Sequence, residues 1–150
     1  MTERVSSVRI MMAHLEEGYL QYHVNSDESA LMAYKVLVAG NKLDFRQFLH
    51  RVLSANREFE VVGEANDAHQ ACELAKENKA DLLILDIDIK RDSENLKNFS
   101  ADCPGMKVIL TSYYDFKEYA EIARKVNASA FIPKTRLSTQ SILDILTERN

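Results

Sequence analysis

Tryptophan is absent from the 150 residues, and cysteine, proline and glycine are scarce, at two, two and four. So few chain breakers place most of the sequence in regular helix or strand. The two cysteines, Cys72 and Cys103, form no Cys-x-x-Cys and no Cys/His ligand spacing. That argues against a zinc module and a disulfide-dense secreted scaffold, and free thiols in a reducing cytoplasm are expected. No apolar run approaches the roughly 20 residues of a membrane helix. The N-terminus carries Glu3 and lacks the apolar core of a signal peptide. The expected location is therefore cytoplasmic, without membrane attachment. Basic character is also missing: 19 Lys and Arg against 23 Asp and Glu leave a net charge of −4. Nothing here forms the electrostatic footprint of direct nucleic-acid binding. No GxGxxG, P-loop or GxSxG motif occurs, which argues against dinucleotide, nucleotide and α/β-hydrolase sites. His14, His23, His50 and His69 have no second histidine or cysteine at metal-ligand spacing, so surface or packing roles are expected.

What is present is a globular balance, 46% hydrophobic and 28% charged, in a length that suits one domain with a sizeable core. From Met32 onward, short apolar runs alternate five times with amphipathic stretches. The runs are Lys35 to Ala39, Phe59 to Gly63, Leu82 to Leu85, Lys107 to Thr111 and Ala130 to Ile132. Short, nearly continuous Val/Ile/Leu runs read as strands buried on both faces of a parallel sheet. Between them, Phe45, Phe48, Leu49, Val52 and Leu53 form a helical stripe behind Asp44 as N-cap, and Ala71, Cys72, Leu74 and Ala75 another behind Asp67. Tyr119, Ile122, Ala123 and Val126 mark the fourth helix, and Ile142, Leu143, Ile145 and Leu146 the fifth. The third pattern is weak, with only Leu96 and Phe99 in core-like positions, so a short or irregular helix is expected. Alternating βα units predict an α/β fold: a flavodoxin-like, doubly wound, five-stranded parallel sheet of order 2-1-3-4-5.

Residues 1–32 read differently, as an N-terminal helical extension ahead of a domain spanning 33–150. Val5, Val8, Met12, Leu15, Tyr19 and Tyr22 alternate spacings of three and four. This stripe suits packing on the domain, a homodimer, or an extension with no function of its own. A natural start at Met32 is a further reading, because the first strand follows directly.

In a doubly wound sheet, ligands bind beyond the carboxyl ends of the strands where the winding reverses, here between strands one and three. Gly40-Asn41 follows strand one, Asp86-Ile87-Asp88 ends strand three, Thr111-Ser112 ends strand four, and strand five runs through Pro133 into Lys134. One carboxylate, one hydroxyl and one ammonium thus converge on a single rim. These groups suit phosphoryl transfer, with a carboxylate as nucleophile and the other two neutralising charge on the equatorial oxygens. The plainer alternative makes Asp86 a capping residue and Lys134 a surface cation.

From Tyr34 to about Leu146 the sequence resembles a response-regulator receiver domain of the CheY-like class. It is most similar to receivers of LuxR/NarL-type regulators, through KVLVAGNKLDFRQFLHRVL, EVVGEANDAHQACELA, ADLLILDID, KVILTS and ASAFIPKT. The resemblance implies that Asp86 is the phosphoacceptor and that Thr111 and Lys134 contact the phosphoryl group. It implies that Phe131 is the aromatic switch partner. A Mg²⁺ ion would be held by Asp86, the backbone carbonyl of Asp88 and, weakly, Asn41. Expected partners are a histidine kinase or phosphotransfer protein and a downstream protein. Chemistry is limited to phosphoryl acceptance and slow self-dephosphorylation.

The departures weaken the implied activity. Gly40 and Asn41 replace the usual pair of acidic residues, which reduces the charge available to a hard cation. Asp88 could restore a carboxylate, or Lys42 could lean inward in place of the metal. Ile89-Lys90 and Glu94 differ from the usual loop, and Pro133 precedes Lys134 instead of following it. The leading expectation is a receiver domain of two-component signal transduction, switched by phosphoryl acceptance at Asp86 to change a protein–protein interaction. The alternatives are a pseudo-receiver without phosphorylation, or the receiver fragment of a longer DNA-binding transcriptional regulator.

Overall fold

The computed structural model describes residues 33–88, 92, 96 and 103–148. The expectations for the N-terminal extension, Phe99 and the altered loop positions 89, 90 and 94 lie outside the described residues. Five strands form one parallel sheet: β1 (Tyr34–Ala39), β2 (Phe59–Ala65), β3 (Leu82–Asp86), β4 (Lys107–Thr111) and β5 (Ala130–Phe131). Their order is β2-β1-β3-β4-β5, so the winding reverses between β1 and β3 as the pattern predicts. Among the described residues, the helices α1 (Leu43–Ser54), α2 (Ala68–Asn78), α3 (Lys117–Lys125) and α4 (Thr139–Thr147) follow β1, β2, β4 and β5, with a 3-10 turn at Lys134–Arg136; the helix expected between β3 and β4 lies mostly outside the described residues.

Every residue of β3 is buried, as a central strand covered on both faces must be. The period-two alternation of strand side chains divides the core into two layers. Leu37, Ala39, Leu83, Leu85 and Leu110 face one way, toward Ala71, Cys72 and Ala75 of α2 and Tyr119 and Ala123 of α3. Val36, Val38, Leu82, Ile84 and Ile109 face the other, toward Phe45, Leu49 and Leu53 of α1 and Ile142 of α4.

Helix α2 starts as expected, with the Asp67 carboxylate accepting from the Gln70 amide at 2.9 Å. Helix α1 does not. It begins at Leu43 with Lys42 at the N-cap, so Asp44 lies within the first turn. There a carboxylate still complements the helix dipole, but it is not the cap. The buried face of α1 runs through Phe45, Leu49 and Leu53. Phe48, placed in that stripe by the sequence, is 53% exposed.

The expected free thiols are also corrected. Cys72 and Cys103 are joined as a disulfide, with Cα atoms 6.4 Å apart. Their separation of 31 residues hid the pairing; the inner face of α2 brings it about by meeting the chain just before β4. Among the described residues, no helix is long and apolar enough to cross a membrane.

Candidate functional site

Parallel register aligns the carboxyl ends of the central strands, so Asp86 of β3 is paired with Thr111 of β4. Asp86 is 6% exposed and lies at the floor of a cleft of about 50 Å³ lined by Asn41, Lys42, Asp88, Ser112, Tyr113 and Lys134, among others. A carboxylate buried this deeply needs a partner. Lys134 provides one, its Nζ donating to Asp86 Oδ2 at 2.9 Å. The Lys134 backbone is pinned in turn by its N–H donating to the Ser112 carbonyl at 2.8 Å. Its ammonium lies 4.2 Å from the Phe45 ring centroid and 3.9 Å from that of Tyr113. Two aromatic faces and one carboxylate therefore enclose the charge, an arrangement in which cation–π attraction is strengthened by desolvation.

The other predicted residues take distinct positions. Thr111 is fully buried and its hydroxyl donates to the Ile132 carbonyl at 2.6 Å. Phe131 is half-buried on β5, stacked on the Tyr119 ring at 5.3 Å. Tyr119 continues the stack to Phe116 and, through it, to Tyr114. The Asp88 carbonyl accepts from the Asp92 amide at 2.8 Å, and the Asp88 amide donates to the Asp92 carboxylate at 2.8 Å. Lys42 is exposed on the rim of the cleft, so the cation that faces Asp86 is Lys134 and not Lys42.

Gly40 is held against Asp86. Its φ is +150°, and a Cβ built on it would fall 2.8 Å from the Asp86 Cβ. Only glycine takes this backbone without strain and leaves room for the neighbouring strand end. The conformation is fixed from outside by Arg46, whose Nη1 donates to the Gly40 carbonyl at 2.6 Å. Arg46 Nε also reaches Glu64 at 3.2 Å, and His50 Nδ1 contacts the other Glu64 oxygen at 2.8 Å. The His50 hydrogen bond, reinforced by Arg46 and by both positive charges, holds the Glu64 carboxyl below the usual range despite partial burial. Sequence reasoning missed this cluster. The i, i+4 spacing of Arg46 and His50 was its visible half, whereas Glu64 reaches them only through β2.

These residues do not supply a hard-cation site as they stand. Mg²⁺ favours an octahedron of oxygen ligands with one or two carboxylates. Here the Asp86 carboxylate is bonded to an ammonium, the Asp88 carbonyl to an amide, and position 40 has no side chain. Among the described residues, no group of three or more His, Cys, Asp or Glu could hold a metal ion.

The family profile described as response regulator receiver domain matches residues 36–147. The chain is 27% identical over 110 residues to the transcriptional regulatory protein YxjL of Bacillus subtilis, covering 72% of this chain and 50% of that protein. It is 29% identical over 110 residues to PdtaR of Mycobacterium tuberculosis, covering 73% and 53%. The chain thus spans about half the length of these regulators. Among solved structures, the receiver domain of NarL from Mycobacterium tuberculosis is similar, with a TM-score of 0.68 and 28% identity. That match covers 78% of this chain and 98% of that one. A profile match across most of the chain, on a sheet of the predicted order, establishes that this chain belongs to the response regulator receiver domain family of two-component signal transduction.

Proposed function

We propose that residues 33–150 form a cytoplasmic signalling receiver switched by phosphoryl acceptance at Asp86, with 1–32 as an extension outside the switch. The observation that carries this reading is the buried Asp86–Lys134 pair at 2.9 Å, on the strand end paired with Thr111. An Asp86 oxygen attacks the phosphorus of a phosphohistidine or acyl phosphate, and the leaving group departs with its electron pair. Lys134, already in contact, moves its charge from the carboxylate to the phosphoryl oxygens. The Thr111 hydroxyl exchanges the Ile132 carbonyl for the same oxygens, which loosens β4 from the segment after β5. Phe131, next to Ile132, follows, and the surface around α3 and α4 changes its protein partner. The donor is a histidine kinase or phosphotransfer protein, and the output is a protein–protein contact. With Lys134 as principal counter-charge, acceptance is slow and depends weakly on Mg²⁺.

One observation favours a second reading, a pseudo-receiver without phosphoryl chemistry: Gly40 offers no side-chain ligand, and the Asp86 Cβ leaves no room for one. Incubation with acetyl phosphate, or with beryllofluoride, in the presence and absence of Mg²⁺ separates the two. Phosphoryl acceptance predicts a mass gain abolished by Asp86→Asn, with amide shifts at Thr111 and Phe131. No adduct and no shift leaves the pseudo-receiver.

A further inference from the structure

The Cys72–Cys103 pair is chemistry that the Asp86 site does not use. Both residues lie in the core layer that contains Leu83, Leu85, Ile87 and Leu96, and they are 8% and 7% exposed. Their burial is broken on one side. Cys103 lines a cleft of about 190 Å³ with Ala75, Lys76, Lys79, Ala80, Pro104 and Met106. Among the described residues that line the opening, two are exposed lysines and none is a carboxylate, on a chain whose net charge is −4. Local positive charge favours thiolates and raises the encounter rate of anionic reagents.

We propose that Cys72–Cys103 is a reversible thiol–disulfide site, read through the Lys76/Lys79 cleft by anionic low-molecular-weight thiols of the glutathione class. The incoming thiolate attacks Cys103 Sγ, the bond between the two cysteines breaks, and Cys72 leaves as a thiolate. A second thiolate attacks the external sulfur of the mixed disulfide, releasing the oxidised small molecule and the Cys103 thiolate. Two electrons pass from two external thiols to the protein, and both cysteine thiolates take protons from water. Oxidation by the small-molecule disulfide runs the same steps backward. The site bears on signalling through its position. It ties α2 to the chain entering β4 and brackets the path from Asp86 through Asp88 and Asp92. Ile87, adjacent to the acceptor, packs in the same layer. The oxidised form adds a tie at Cys103 to the anchoring that β3 and β4 already give this path, and the reduced form keeps only the strands.

The test uses the full oxidised chain, with native-state alkylation and intact mass following reduction by glutathione and by neutral β-mercaptoethanol. The Lys76→Glu/Lys79→Glu variant is expected to slow glutathione about tenfold and to leave the mercaptoethanol rate unchanged within about twofold. Reduction is expected to lower the melting temperature on the order of 10 °C and to speed hydrogen exchange at Ile87 and Asp88. A Cys72→Ala/Cys103→Ala variant should match the reduced chain and ignore reductant; should it fail to fold, reduced wild type supplies the same comparison. Two free thiols after equilibration with glutathione disulfide would overturn the site. An equal fall in both rates for the lysine variant would overturn the role of the cleft. Neither readout involves a phosphoryl group, so failure here is distinct from failure at Asp86.

Discussion

Gly40 and Asp86 are packed so closely that a Cβ at position 40 would lie 2.8 Å from the Asp86 Cβ. Adding an acidic residue there is therefore a structural change before it is an electrostatic one. Gly40→Asp is expected to destabilise the domain by about 1–3 kcal/mol, through positive-φ strain and overpacking at a strand end. Asn41→Asp, at an exposed neighbouring position, is expected to cost less than about 0.5 kcal/mol and to tighten Mg²⁺ binding. Urea unfolding and Mg²⁺ titration by NMR check the pair. Equal stability of the two variants would contradict the steric account.

The Asp86–Lys134 pair should respond asymmetrically to its two partners. Lys134→Met strands a buried carboxylate and is expected to cost about 3 kcal/mol. Adding Asp86→Asn should recover most of that loss, because the remaining amide carries no charge to desolvate. A double-mutant cycle from urea melts measures the coupling. Additive losses would mean that the contact stores no interaction energy.

Glu64 makes acid stability measurable at one residue. Its carboxyl is held below the usual range by His50 and Arg46, so its contribution is present above the unfolded-state pKa and is lost as pH falls through the depressed folded value. Glu64→Gln is expected to cost about 1 kcal/mol at neutral pH and nothing at about pH 2 to 3. Thermal melts of both proteins across that range check the sign. A gap that widens on acidification would contradict it.

The two phenylalanines of α1 provide a test of helix register. Phe45→Ala opens the core and removes a wall from the Lys134 enclosure, with an expected loss of about 3–4 kcal/mol. Phe48→Ala, on the exposed face, is expected to change stability by less than about 0.5 kcal/mol. Chemical denaturation of the two variants decides whether α1 faces the sheet as described.

Strand order and the convergence of Asp86 and Lys134 were legible in the sequence because both follow from βα alternation and strand-end position. The local terms were less so. Phe48 fits the helical period as well as Phe45, and only the helix's rotation on the sheet separates them. Asp44 reads as a cap until Leu43 starts the helix two residues early. The cysteine pair is a tertiary contact without a spacing signal, and the Glu64 cluster shows one only in its Arg46/His50 half. The orientation of Thr111 toward Ile132 is a rotamer choice, which no sequence pattern encodes.

The aromatic stack from Tyr114 through Phe116 and Tyr119 to Phe131 has a spectroscopic consequence. Rings held at fixed separations in a chiral environment generate near-ultraviolet circular dichroism. In a chain without tryptophan, no indole band overlies that signal. Its outer rings are exposed and its inner ring lies on β5, so rotation of Phe131 would change the optical activity of a ladder that reaches solvent. The domain thus carries an intrinsic chromophore array through which a movement of Phe131 would be readable without a label.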